Sequence, residues 1–148
     1  MTKKVFLFSK RVLIILLSVI CFVSCSKEEE VEISLSDQVV GMYVGTGKLA
    51  TYGVTIETWS GMKVYVTKSS SDYALVRLED AAGDEILEND VFQILKTSSG
   101  DYVLNSQENP LSKINIKKDG SIEYNNDGIS VNGESGYSIS FTGKRETR

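Results

Sequence analysis

The chain has 148 residues, with 16 Lys and Arg against 20 Asp and Glu, two cysteines and no histidine. The absence of histidine excludes Ser–His and Cys–His nucleophilic pairs, histidine general bases and most zinc or haem sites. A formal net charge of −4 provides no basic surface of the kind that nucleic acids require, so we expect no nucleic-acid partner.

Residues 1–24 have the parts of a secretory signal peptide. Basic residues at positions 3, 4, 10 and 11 precede an apolar run from Val12 to Val23 that is broken only by Ser18. As a helix this run would be roughly 18 Å long, whereas the hydrocarbon core of a bilayer is ~30 Å thick. The segment is therefore predicted to be a cleaved signal rather than a membrane span.

The signal ends in FVSC (residues 22–25), which resembles a lipobox, the cleavage motif of bacterial lipoproteins. The resemblance implies cleavage before Cys25 and a diacylglyceryl group on its sulfur, and two or more acyl chains anchor a protein stably. The next residues, SKEEE (26–30), resemble the acidic export tag of surface lipoproteins of Bacteroidota, and such a charge run also suits a solvated tether. We predict a lipid-anchored protein of the outer membrane, exposed at the cell surface, with residues 25–38 as a lipidated acidic tether.

The mature chain of 124 residues keeps 12 Lys and Arg against 20 Asp and Glu, a formal net charge of −8. Its length suits one domain with its own core, which we place at residues 39–148. Cys21 lies within the signal and Cys25 would carry lipid, so the folded part has neither a thiol nor a disulfide. No motif organises the remaining polar residues into a catalytic site. We therefore predict that the protein is not an enzyme and binds neither a cofactor nor a metal.

From residue 41 onward, short runs of period-two alternation are separated by Gly, Ser, Asn and Asp, which predicts β-strands. The runs are Met42–Ala50, Thr55–Lys68, Tyr73–Glu79, Ile86–Lys96, Tyr102–Asn105, Ser112–Lys117, Ser121–Asn132 and Tyr137–Lys144. The Asn-Asp-Gly at residues 126–128 either lies within the seventh strand or splits it. Eight antiparallel strands predict an all-β, closed up-and-down barrel, because open edges promote aggregation and eight strands enclose side chains or one small ligand.

The alternation also predicts which side chains point into the barrel. They are Tyr43, Leu49, Met62, Val64, Val66, Val76, Leu78, Phe92, Ile94, Ile114, Ile116, Ile122, Ile139 and Phe141. Packing at native density is the default for such a set, and the alternative is that these side chains line a pocket.

Gly41 and Tyr43 at the start of the first strand resemble the Gly-x-Trp motif of lipocalins and other calycins, with tyrosine in place of tryptophan. The opening VVGMYVGTGKL and the ending YSISFTGKRE together resemble the calycin-like barrel lipoproteins of Bacteroidota, over residues 40–146. The resemblance implies that a basic residue of the last strand packs on the aromatic ring and closes the barrel. Alternation favours Arg145 over Lys144 for this contact, which would contribute ~0.5–2 kcal/mol.

Trp59 is the only tryptophan, and two orientations are open for it. Simple alternation puts it on the outer face with Tyr65, as an aromatic ledge that would stack on sugars or proteins. A β-bulge at Ser60-Gly61 would reverse the parity and turn Trp59 inward at the barrel mouth. A plain packing role is the simplest interpretation. The candidate contacts for a ligand or a partner are Trp59, Tyr65, Met62, Phe92 and Phe141.

Residues 79–90 hold six acids, but their spacing matches no calcium-binding loop, and a solvated hairpin connection is the better interpretation. Glu79 and Asp80 are adjacent on a strand and would point to opposite faces, so they do not make an acid/base pair. The function we expect is non-catalytic binding of a small apolar or amphipathic ligand, or of a glycan. The alternative is a protein–protein module, such as a surface inhibitor or an accessory subunit of an outer-membrane complex.

Overall fold

The computed structural model describes residues 33–131 and 134–147, so the predicted signal peptide, Cys25 and the acidic tag lie outside the described residues. The elements are α1 (Leu35–Val39), β1 (Gly41–Thr51), β2 (Val54–Lys68), β3 (Tyr73–Glu79), β4 (Glu85–Lys96), β5 (Tyr102–Ser106), β6 (Ser112–Ile116), β7 (Ser121–Val131) and β8 (Glu134–Arg145). Each of the eight predicted strands is present, and no strand end differs from its predicted position by more than three residues. Among the described residues, no helix has the length and apolar character that crossing a bilayer requires.

The strands form a closed antiparallel barrel in which each strand pairs with the next and β8 pairs with β1. The predicted all-β barrel is therefore confirmed. Residues 126–128 do not split the seventh strand. Instead Gly128 has a positive φ of 75°, and the register of β7 with β8 shifts between Asp127 and Ile129. The glycine thus allows a local irregularity without ending the strand.

The barrel interior is packed with apolar side chains. All of the predicted inward side chains are buried, and they are joined in the core by Val39, Ala74, Tyr102, Leu104 and Tyr124. Full burial of a large apolar side chain contributes about 1.5–3 kcal/mol, so this interior supplies the main stabilisation of the barrel. Because the buried core cluster runs from Val39 to Phe141, we expect residues 26–148 to fold without the segment before them.

The short helix α1 packs against one end of the barrel. The Ser36 amide donates a hydrogen bond to the Ser71 carbonyl of the β2–β3 connection at 3.0 Å. Lys68 forms an ion pair with Asp37, with 2.8 Å between Nζ and Oδ1. The predicted acidic tether includes residues 35–38, whereas the structure places them in this helix.

We call the end of the barrel next to α1 the closed end. Here Arg145 lies across the ring of Tyr43, in the contact that the sequence predicts. The guanidinium carbon is 5.3 Å from the ring centroid, and Nε and Nη2 donate to the Tyr43 hydroxyl at 3.2 and 2.8 Å. The hydroxyl in turn donates to the Val39 carbonyl at 2.7 Å, and Arg145 Nη2 donates to the Gln38 carbonyl at 2.6 Å. A Cβ on Gly41 would come within 3.2 Å of Arg145 Nε, so the glycine leaves room for the arginine.

Candidate functional site at the open end of the barrel

The opposite end of the barrel contains a pocket of about 290 Å³ between β3, β4, β7 and the β5–β6 connection. It is lined by Val76, Leu78, Leu87, Glu88, Asn89, Asp90, Phe92, Glu108, Asn109, Tyr124, Asn126 and Ile129. The rings of Phe92 and Tyr124 meet edge to face, with centroids 6.3 Å apart, and both side chains are buried. The packed core therefore sets the depth of the pocket, which has apolar and polar lining side chains.

The polar lining begins at Asp90, whose carboxylate is tied to the β5–β6 connection. Ser106 Oγ donates to Asp90 Oδ2 at 2.5 Å, a length typical of a hydroxyl bound to a charged carboxylate. The same Ser106 oxygen accepts hydrogen bonds from the amides of Glu108 and Asn109, at 3.1 and 2.9 Å. One serine thus fixes both the carboxylate and the loop beside it.

The network continues across the pocket to β7. Asn109 Nδ2 donates to Asn126 Oδ1 at 2.7 Å and to the Asp127 carbonyl at 3.0 Å. Asn126 Nδ2 donates to the Tyr124 hydroxyl at 2.8 Å, and Ser112 Oγ donates to the same hydroxyl at 3.4 Å. Since Asn126, Ser112 and Tyr124 are all buried, these bonds hold the polar groups in fixed positions.

Two groups in this network have unused hydrogen-bonding capacity. Asp90 Oδ1 is shielded from solvent and has no hydrogen-bond partner within the described part of the chain. The Tyr124 hydroxyl accepts two bonds, and within residues 33–131 and 134–147 it donates none. Burial raises the pKa of Tyr124, and the nearby charge of Asp90 raises it further, against the opposing hydrogen bonds from Ser112 and Asn126. The raised pKa keeps the phenol protonated at neutral pH, so its O–H remains available as a hydrogen-bond donor in the pocket lining.

Of the predicted contact residues, Phe92 is in the pocket lining, whereas Met62 and Phe141 are not. Met62 and Phe141 are fully buried in the core outside this pocket, and their role as ligand contacts stays a prediction. The two residues belong to the hydrophobic core cluster, and the pocket lies at the end of the barrel beyond them.

The predicted aromatic ledge of Trp59 and Tyr65 is not formed, because the two side chains lie on opposite faces of β2. The register of β2 with β1 skips Gly61, whose φ of +74° marks a bulge, and Trp59 then pairs with the inward-facing Gly47. Trp59 is half-buried against the core, and its Nε1 donates to Glu57 Oε1 at 2.8 Å. Tyr65 remains on the outer face, where the Arg77 guanidinium lies 5.0 Å from its ring centroid. The alternative with the bulge is therefore confirmed.

The acidic run of residues 79–90 covers the end of β3, the connection at residues 80–84 and the start of β4. Asp80 Oδ1 accepts hydrogen bonds from the amides of Gly83 and Asp84 at 2.8 and 2.9 Å, which orders the β3–β4 connection. Across residues 33–131 and 134–147, no three Asp, Glu, His or Cys side chains converge in a way that could hold a metal ion.

Sequence reasoning missed Ser106, Ser112, Asn109 and Asn126 as site residues. A signal for them was present, because Ser112 and Asn126 occupy inward positions in the same alternation as the buried isoleucines of β6 and β7. Polar residues at inward positions near one end of a barrel indicate a polar lining at that end.

No protein-family model matches the chain, and no curated protein or solved structure matches it either. The resemblance to calycins rests on the motifs at the two ends of the barrel sequence.

Proposed function

We propose that the chain is a non-catalytic binding module that holds a small hydroxyl-bearing ligand, such as a sugar unit, in the pocket at the open end of the barrel. The observation that carries the proposal is the pair of unused groups in the pocket lining, the Asp90 Oδ1 acceptor and the Tyr124 donor. A hydroxyl group both donates and accepts, so the hydroxyls of one ligand match both groups chemically. A buried carboxylate oxygen without a donor is costly, and a ligand that supplies one removes that cost.

The size and the walls of the pocket favour a compact amphipathic molecule over a long acyl chain. Its volume of about 290 Å³ is at the lower end of the range for ligand pockets, roughly 300–1,000 Å³. The packed interior leaves no space below Phe92 and Tyr124 for a chain to enter. The apolar side chains of Val76, Leu78 and Ile129 would face the C–H groups of a sugar ring or a hydroxylated steroid.

The predicted lipid on Cys25 would place this module at the outer membrane, exposed at the cell surface. The acidic residues that follow would act as an export signal, as a spacer or as both. In this proposal the protein presents its open end to ligands and carries out no reaction on them.

The experiment is a calorimetric titration of residues 26–148 with oligosaccharides, bile salts and fatty acids. We expect saturable binding of a hydroxylated class and none of saturated fatty acids. Hydrogen bonds to charged groups contribute about 1.5–3 kcal/mol, so Asp90→Asn and Tyr124→Phe should each weaken binding by at least about tenfold. Asp84→Asn, which removes an exposed charge at the same end of the barrel, is the matched control and should bind like the wild type.

Folding of each variant is checked by its urea midpoint, and the indole N–H signal of Trp59 gives a second readout. If all three ligand classes give flat titrations, the proposal is refuted for those classes. Binding that is unaffected by both pocket variants would place the ligand elsewhere and refute the assignment of the site.

A second candidate function, recognition of a protein partner, is favoured by the exposed β1–β2 hairpin. Tyr52, Val54 and Ile56 are 91%, 64% and 52% exposed, and Tyr52 at the tip has a positive φ of 48°. Exposed apolar side chains that are close together are typical of interaction surfaces. Cross-linking on intact cells, compared between the wild type and a Tyr52→Ser/Ile56→Ser variant, tests this candidate. A cross-linked product that is lost in the variant would support it, and identical products would argue against it.

A further inference from the structure

A second pocket, of about 370 Å³, lies at the closed end of the barrel, opposite the proposed ligand site. Four positively charged side chains line it, and no carboxylate does: Lys96, Lys117, Lys118 and Arg145. Residues 33–131 and 134–147 contain ten Lys and Arg in all. Four of these ten therefore lie around one pocket of a protein whose mature chain is acidic.

Three of these four cations have no carboxylate partner among the described residues. Only Lys117 forms an ion pair, with Glu123 at 3.1 Å. Arg145 donates to neutral oxygens, the Tyr43 hydroxyl and the Gln38 carbonyl. The Lys96 ammonium lies 6.0 Å from the centroid of the Tyr102 ring. The positive charge of the pocket is thus only partly compensated from within the protein.

The acids closest to the pocket are engaged in local hydrogen bonds. Asp101 accepts from the Lys118 amide at 3.1 Å through one oxygen and from Ser99 Oγ at 2.9 Å through the other. Asp119 accepts from the amide and the hydroxyl of Ser121, and these bonds hold its pKa below the ordinary value. These carboxylates stabilise the turns and are absent from the pocket lining.

The pocket combines this charge with an apolar surface. Tyr102 and Ile116, both buried, form part of its wall. A Cβ on Gly100 would come within 2.3 Å of Lys118 Cε, so the glycine allows the lysine side chain to lie across the β4–β5 connection. The volume exceeds what a single phosphate group needs, which leaves room for the alcohol part of an ester.

We propose that this pocket binds a phosphate-bearing ligand, with the phosphate between Lys96, Lys118 and Arg145 and the ester part against Tyr102. Ammonium and guanidinium groups make strong charge-assisted hydrogen bonds to phosphate oxygens. The ligand is either a soluble phosphate ester or the phosphate of a lipid headgroup. The second source rests on the proposed lipid anchor. Ile33 is eight positions after Cys25, a span of at most about 27 Å, so this end would stay near the membrane.

The test for the shared chemistry is an amide NMR titration of residues 26–148 with inorganic phosphate at constant ionic strength. We expect saturable shifts at the amides of Gly100 and Gly120. Lys96→Gln/Lys118→Gln should weaken binding by about tenfold or more, because two charge-assisted contacts are lost. The control Lys48→Gln/Lys113→Gln removes the same charge from exposed positions outside the pocket and should bind like the wild type. Absence of saturation, or equal weakening in both double variants, would overturn the proposal.

Flotation with phosphatidylcholine vesicles, with and without phosphatidylglycerol, distinguishes the two sources. Binding to the anionic vesicles that requires Lys96 and Lys118 assigns the site to a headgroup, whereas phosphate binding without vesicle binding assigns it to a soluble ester. Vesicle binding that is the same in both double variants reflects general surface charge and counts against the site. Asp90→Asn, which changes the other pocket, should leave the phosphate titration unchanged. The proposal for each pocket can therefore be refuted without refuting the other.

Discussion

The contact between Tyr43 and Arg145 makes a quantitative prediction about how the closed end stabilises the barrel. In Tyr43→Phe, the Val39 carbonyl loses its donor, and Arg145 loses the Tyr43 hydroxyl as an acceptor but keeps the Gln38 carbonyl. A buried polar group left without its partner costs about 1–3 kcal/mol, and the lost charge-assisted bonds from Arg145 add to this. We therefore expect the free energy of unfolding to fall by about 2–4 kcal/mol. In Arg145→Met, the Tyr43 hydroxyl keeps its bond to the Val39 carbonyl. Because the arginine is only half-buried, we expect its removal to lower the free energy of unfolding by about 1–2 kcal/mol.

The double variant isolates the pairwise interaction. Because the two side chains share both hydrogen bonds and the cation–π contact, we expect a coupling energy of about 1–2 kcal/mol. The assay is urea denaturation of residues 26–148. With a slope of about 1–3 kcal/mol per molar urea, the Tyr43→Phe change corresponds to a midpoint shift of roughly 1 M or more.

Lys144→Met is the control, because it removes the neighbouring exposed positive charge and should change stability by less than about 0.5 kcal/mol. A coupling energy indistinguishable from zero would refute the reasoning, since it would mean that the arginine does not stabilise the closed end through the tyrosine. Equal losses in Lys144→Met and Arg145→Met would point to net charge instead of the contact.

Three further predictions concern the anchor, the bulge and the pocket. Cys25→Ala should abolish labelling with a radioactive fatty acid and release the protein from the membrane fraction; retained label would refute lipidation at this residue. Gly61→Ala should destabilise the barrel by about 1–2 kcal/mol in urea titrations, because a side chain is strained at a φ of +74°, and an unchanged midpoint would contradict the role of the bulge. Raising the pH above about 10, where an unfolded tyrosine ionises, should lower the stability of the wild type more than that of Tyr124→Phe, since burial raises the folded-state pKa of Tyr124 and keeps it protonated. Parallel stability curves for the two proteins between pH 8 and 11 would argue against this burial effect.

The barrel and its core could be predicted because successive side chains of a strand point to opposite faces. Every second residue in the sequence therefore identifies the inner face. Ile114 and Ile116 on β6, or Ile139 and Phe141 on β8, alternate with polar residues and are all buried. The contact of Arg145 with Tyr43 followed from the same parity, counted from Tyr137 to Arg145, where the pairing of β8 with β1 has no register shift.

Prediction left two alternatives open where one residue changes the count, and it failed where a segment is short or a partner is distant in sequence. Gly61 is skipped in the pairing of β2 with β1, which reverses the parity of Trp59, and only a glycine in the strand signals this. The helix α1 spans five residues, too few for a helical period to be detected. The bond between Asp90 and Ser106 joins residues sixteen apart, and the pairing register that brings them together is set by the whole sheet.

The closure of the barrel through β1 has a mechanical consequence. β1 follows directly after α1 and is paired on both sides, through eleven residue pairs with β2 and nine with β8. The interstrand hydrogen bonds lie perpendicular to the strands. A pull on the N-terminal chain along the axis of β1 would therefore load both ladders in shear, so that many bonds resist together instead of opening one at a time. With the proposed lipid anchor at Cys25 and the proposed ligand at the open end, a pull would follow this direction, and the two ladders would lengthen the forced-unfolding lifetime.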